Sequence, residues 1–144
     1  MNTTIFDVAK YILHKMNRMS TMKLQKLCYY AQAWALVWDD TPLFDEDFYA
    51  WTNGPVCKEL FYHTKGLFSV CENDEPGDIS KLSENQMNTI DIVLADYGQK
   101  DAQWLSRLTH LEEPWKNARN ENHGLDESEG LISKESMAMY YGSL

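Results

Sequence analysis

The sequence predicts a mainly α fold, a compact bundle of about six helices with a minor short-strand element near residues 48–52. Three observations predict it. Apolar residues recur at three- and four-residue spacing through most of the chain. The run Phe48-Tyr49-Ala50-Trp51 breaks that spacing once, in the manner of a short strand. The 144 residues, 44% hydrophobic and 24% charged, suit one ordinary globular domain over 1–144.

From Thr4, Ile5, Val8, Ala9, Ile12, Leu13 and Met16 mark one face of a first helix, with Thr4 and Asp7 placed to satisfy its free N–H groups. A short link over 17–20 leads to a second helix beginning at Ser20 or Thr21, so the two form an antiparallel hairpin. Leu24, Leu27, Cys28, Ala31, Ala35 and Trp38 hold its repeat, and Tyr29, Tyr30, Gln32 and Trp34 widen its buried face. Asp39-Asp40-Thr41-Pro42 ends it. Asn53-Gly54-Pro55 reads as a turn, with Pro55 opening a third helix over 55–65. Residues 72–78, rich in acids, read as an exposed loop, and 68–70 and 78–82 as edge strands. Ser83 and Gln86 form a capping box for a helix with Met87, Ile90, Val93 and Tyr97, stopped at Gly98. Asp101 caps a helix over 102–109, Pro114-Trp115 opens one or two further turns, and after a polar stretch over 120–131 Ser133 caps a last helix carrying Met137, Tyr140 and Tyr141. For Gly54, Pro55 and Gly98, turn and cap geometry is a sufficient explanation.

Several classes are excluded. The longest uncharged stretch, residues 27–38, has twelve residues, whereas a bilayer crossing needs roughly 18 to 20, so no membrane association is expected. The first residues lack a secretory leader's pattern, which places the chain in the cytoplasm. Cys28, Cys57 and Cys71 are odd in number and widely spaced, the pattern of reduced, mostly buried thiols. Residues 1–38 hold five bases against one acid, a net +4, while the rest holds eight against 21, a net −13. The resulting −9 opposes general nucleic-acid binding but leaves one local basic face.

No catalytic residues, metal or cofactor are expected. His14, His63, His110 and His123 fall in no ligand spacing. Cys57 and His63, six apart on one helix, point about 240° away from each other. His110 beside Glu112 and Glu113 has the ingredients of acid-base chemistry, but a buried polar network or a helix end accounts for it more simply. Phosphate-binding glycine loops and the hydrolase elbow do not occur. Five tryptophans and eight tyrosines exceed what a small helical core needs, and aromatics favour recognition surfaces; Trp34, Trp38, Trp51 and Trp104 are nevertheless expected in the core.

The segment Lys23-Leu24-Gln25-Lys26-Leu27-Cys28-Tyr29-Tyr30-Ala31-Gln32-Ala33-Trp34, followed by Ala50-Trp51-Thr52-Asn53-Gly54-Pro55-Val56, resembles the opening signature of the Panacea, or SocA-like antitoxin, domain. Tyr97-Gly98, Leu105-Ser106-Arg107-Leu108-Thr109-His110, Glu113-Pro114-Trp115, Ile132 and Tyr140-Tyr141 continue the likeness in order. Cys28 departs from the family's usual aliphatic residue, a change a core position tolerates. The resemblance implies a mainly helical antitoxin from a bacterial or phage-borne toxin-antitoxin pair, neutralising a cognate protein toxin encoded by the adjacent gene through direct binding. One branch of the family instead delivers its toxin to the ClpXP protease. Relatives often carry an added DNA-binding segment, whereas this sequence reads as the domain alone, which argues against transcriptional autoregulation.

Gln25, Tyr30, Trp51, Asn53, His110 and Trp115 are the expected partner-binding residues. An acidic body suits a basic toxin surface. Two other classes are weighed: a small hydrolase or transferase built on His110 with Glu112 or Glu113, and an acidic mimic of nucleic acid, which needs the acids over 39–47, 72–78 and 121–129 on one face.

Overall fold

A computed structural model describes residues 2–122 and 130–144. Among the described residues the chain forms α1 (Ile5–Met16), β1 (Met19–Ser20), α2 (Thr21–Trp38), β2 (Phe48–Trp51), β3 (Gly54–Cys57), α3 (Lys58–Thr64), β4 (Ser69–Val70), α4 (Glu84–Tyr97), α5 (Ala102–Leu111), α6 (Glu113–Asn122), β5 (Leu131–Ile132) and α7 (Lys134–Gly142). The fold is mainly α, with two small antiparallel sheets ordered β1-β4 and β3-β2-β5.

Helix α2 is the axis of the molecule. Residues 24–33 are all buried, and α1, α4, α5, α7 and β3 pack around them. An apolar helix stretch with no polar face is stable only when surrounded, and residues 27–33 meet that condition, while the last turn opens out to the exposed Trp38. Ser20 caps α2 by accepting from Lys23 N–H at 3.1 Å. Ser83, Asp101 and Ser133 cap α4, α5 and α7 in the predicted way. No described helix is long and apolar enough to cross a membrane.

Several expectations are corrected. Residues 54–57 are not the start of a helix but strand β3, which pairs with β2 across the two-residue turn Thr52-Asn53. Pro55, without an N–H, is accommodated because β3 is an edge strand. Ser69–Val70 does form a strand, against Met19–Ser20, but Ile79–Lys81 is a 3-10 turn. The 72–78 segment is not simply an exposed loop. Glu75 within it is 2% exposed, Asp78 N–H donates to Asp7 Oδ1 at 2.7 Å, and a Cβ on Gly77 would overlap the Phe6 carbonyl. Gly98 has φ −63, so its C-cap role needs no left-handed backbone; close approach explains it, since a Cβ there would lie 2.5 Å from the Leu94 carbonyl oxygen. Helix α6 is longer than one or two turns, running ten residues.

The tryptophans also divide differently. Trp38 and Trp104 are exposed, and Trp34 and Trp51 are half-buried. Cys28 and Cys57 are buried and Cys71 is half-buried, all as free thiols. The bases of residues 1–38 do not make an open basic face. Lys10 donates to the carbonyls of Glu72 and Glu75, Lys23 to that of Gly98, and Arg18 to Ser69 Oγ, while Lys26 is buried.

Candidate functional site

A cleft of about 480 Å³ opens between the first turns of α2, the β2–β3 turn and α3. Thr21, Met22, Gln25 and Lys26 form one wall, Trp51, Thr52, Asn53 and Val56 the second, and Phe61, Thr64, Lys65, Gly66 and Leu67 the third. The hairpin turn is fixed by Ser106 Oγ, which donates to the Asn53 carbonyl at 2.5 Å. It is fixed on its other flank by the Trp115 indole, which donates to the Trp51 carbonyl at 2.8 Å. Gly54 has φ +118, and a Cβ there would stand 2.5 Å from Lys26 Cε and 3.0 Å from Thr109 Oγ1. Glycine at this point lets the lysine pass against the backbone.

Lys26 is 1% exposed and donates to the Pro55 carbonyl at 3.3 Å. Burial pulls its ammonium down to about 8, because removing the charge from water favours the neutral amine. Trp51, half-buried and edge-on to Phe61 at 4.9 Å, has a buried indole N–H with no hydrogen-bond partner among the described residues. An orphaned buried donor costs free energy unless something occupies it.

The six predicted partner-binding residues do not form one surface. Trp51 and Asn53 stand on the cleft, and Gln25 lines its base, 5% exposed. Gln25 Nε2 donates to the Cys57 carbonyl at 3.0 Å, and Cys57 N–H donates to Gln25 Oε1 at 2.9 Å. His110 and Trp115 lie behind the turn, stacked at 4.1 Å. A hydrogen bond from His110 to the Thr52 backbone anchors the imidazole, whose Nε2 is buried without a partner among the described residues. Desolvation is the main cause that lowers its pKa. Tyr30 is fully buried. Its hydroxyl donates to Glu112 Oε1 at 2.7 Å, as does that of Tyr141, and its ring stacks on Tyr97 at 4.2 Å.

These geometries do not assemble an acid-base pair from residues 110–113. Glu112 is 7% exposed and turned into the tyrosine cluster, where desolvation raises its pKa, while His110 faces Trp115 and Thr52. Cys57 is not on α3 with His63; it precedes that helix, and burial pushes its thiol up to about 12. His63 meets the Asp74 carbonyl at 2.8 Å. No cluster of three metal-ligating side chains occurs among the described residues; His123 lies outside them.

The acids named for a nucleic-acid mimic are largely engaged within the fold. Asp39 accepts from Thr89, Glu46 from the Ile5 N–H, Asp47 from Lys134, and Glu72 meets His14. Residues 123–129, and the side chains of 121 and 122, lie outside the description.

The two segments that carried the opening signature, over 23–34 and 50–56, thus meet at one cleft. A family model described as antitoxin SocA-like, Panacea domain, matches residues 24–116, more than half of the chain. The chain belongs to this family. Membership supports an antitoxin-type role with a toxin as partner. The likeness at Ile132 and Tyr140-Tyr141 falls beyond the matched span of the Panacea domain, but Tyr141 closes the Glu112 cluster and Ile132 pairs with Phe48 of β2. No curated protein and no solved structure matches the chain.

Lys26 is the residue that sequence reasoning missed. It was legible as a lysine just ahead of an uncharged run, between Gln25 and Leu27. A lone charge at the start of a buried helix stretch is costly to keep there.

Proposed function

We propose that this Panacea domain neutralises a cognate protein toxin by direct binding in the cytoplasm, through the face that carries the α2–α3–hairpin cleft. The observation that carries the reading is the meeting of Gln25 and Lys26 with Trp51, Thr52 and Asn53, since the family's two opening segments converge on one concavity. Concave sites with few polar groups among apolar walls are the usual places for binding. The acidic body, net −9, favours encounter with a basic toxin at low ionic strength. No catalytic step is assigned.

The test is co-purification with the product of the adjacent open reading frame, together with growth rescue when that product is expressed. A stable complex that restores growth supports the reading. Rescue that vanishes in cells lacking ClpXP assigns the chain to proteolytic delivery instead, and absence of both binding and rescue rejects it.

A further inference from the structure

We propose that the cleft reads a carboxylate: it takes an acidic side chain of a toxin segment, held by the Lys26 ammonium and the Trp51 indole N–H. This deepens the direct-binding reading and rests on it for the identity of the partner. Four observations converge. Lys26 has three donor protons and, among the described residues, one acceptor, the Pro55 carbonyl, and no carboxylate there contributes to the environment that shifts its pKa. Trp51 adds a second buried donor with no partner among the described residues. In a chain of net −9, the described residues lining the cleft include two lysines, Lys26 and Lys65, and no acid. The rim is apolar, with Leu67 49% exposed and the adjoining Phe68 85% exposed, which suits a peptide segment rather than a free ion.

Donors without acceptors in a low-dielectric cleft select a carboxylate over its neutral amide. A charge-assisted hydrogen bond is roughly twice as strong as a neutral one, and burial strengthens the attraction to Lys26. Lys65 at the mouth reinforces the same sign, and His110 is the titratable group from α5 that feels the Lys26 charge.

The probes are acetyl-Phe-Glu-amide and acetyl-Phe-Gln-amide, titrated into the full chain while the five indole N–H resonances are followed by NMR, with Trp51 assigned from Trp51→Phe. The expected result is movement of the Trp51 resonance and a preference of about tenfold or more for the Glu probe. Lys26→Met is expected to erase that preference, and Trp51→Phe to weaken Glu-probe binding several-fold. Thermal melting establishes that Lys26→Met is folded; if it is not, the Glu-against-Gln comparison on the unaltered chain decides by itself. Equal affinity for the two probes, or an unmoved Trp51 resonance, overturns the site. A toxin that binds the unaltered chain and Lys26→Met equally tightly also overturns the site and leaves direct binding standing. A toxin that binds neither overturns direct binding, while the dipeptide result still decides the cleft.

Discussion

Gln25 grips both backbone groups of Cys57, accepting from its N–H at 2.9 Å and donating to its carbonyl at 3.0 Å. A side chain on α2 thereby does what a neighbouring strand would do for the last residue of β3. The Cys57 groups are buried against the helix, and a buried peptide group without a partner is costly. Replacing Gln25 by Leu removes both bonds at once and is expected to cost about 2–4 kcal/mol in urea unfolding. Gln25→Glu keeps the acceptor, loses the donor and buries a charge, so it should also destabilise. A Gln25→Leu variant as stable as the unaltered chain would show that β3 does not depend on this clamp.

Glu112 collects the hydroxyls of Tyr30 and Tyr141, and the Tyr29 hydroxyl stands 3.1 Å from that of Tyr141. Glu112→Ala leaves these groups short of an acceptor and opens a cavity, at an expected cost of about 2–5 kcal/mol. The pH dependence has a definite sign. Desolvation raises the folded carboxyl above its ordinary 4.5, so the folded state holds this proton in a pH range where the unfolded state has lost it. The group's contribution to stability is fully present below pH 4.5 and is lost as pH rises from there through the folded value. Glu112→Gln, which lacks that penalty, should therefore gain on the unaltered chain as pH is raised from 4.5 to 7. Parallel stability-pH curves for the two would contradict the assignment.

Lys26 titrates in the opposite sense. Its ammonium is pulled from 10.5 to about 8 on folding, so below about 8 the folded state carries a penalty of about 3 kcal/mol. That penalty is relieved as pH rises from about 8 towards 10.5, where the unfolded chain still holds the proton. Lys26→Met should be more stable than the unaltered chain at pH 7, by up to about 3 kcal/mol less about 1 for the orphaned Pro55 carbonyl. The advantage should fade by pH 10. Stability gained where partner binding is lost is the signature of a binding residue kept at structural cost.

Gly54 couples the hairpin to that lysine. Gly54→Ala places a Cβ at φ +118, 2.5 Å from Lys26 Cε. Backbone strain of roughly 1–3 kcal/mol is expected, together with displacement of Lys26 and loss of the Glu-probe preference. Gly142→Ala, at the end of α7 and outside the cleft, is the control: a Cβ there would meet nothing nearer than Val37 Cγ2 at 3.9 Å, so it should leave the preference intact.

The helices were legible because each carries its own local instructions. Ser83 with Gln86, Asp101 and Ser133 are caps that act on backbone three residues away, and the structure uses them as the spacing predicts. Strand β3 was not legible. Gly54-Pro55 suits a helix start as well as a strand, and the choice falls to β2 and the Gln25 side chain, 32 residues before Cys57. The candidate site was legible in part: Gln25, Trp51 and Asn53 meet at the cleft, whereas Tyr30 is consumed by Glu112 and His110 by the back of the turn.

The sequence by itself determined the mainly α class, the capped helices, the Phe48–Trp51 strand and the family resemblance, because periodicity, capping and motif order are local properties of the chain. Only the tertiary structure decided that Lys26 is buried on the cleft it shares with the unpartnered Trp51 indole, and that Lys10 and Lys23 are spent on backbone carbonyls of distant segments. Burial and unmet hydrogen bonds arise from what distant segments place around a side chain, and no local pattern encodes that.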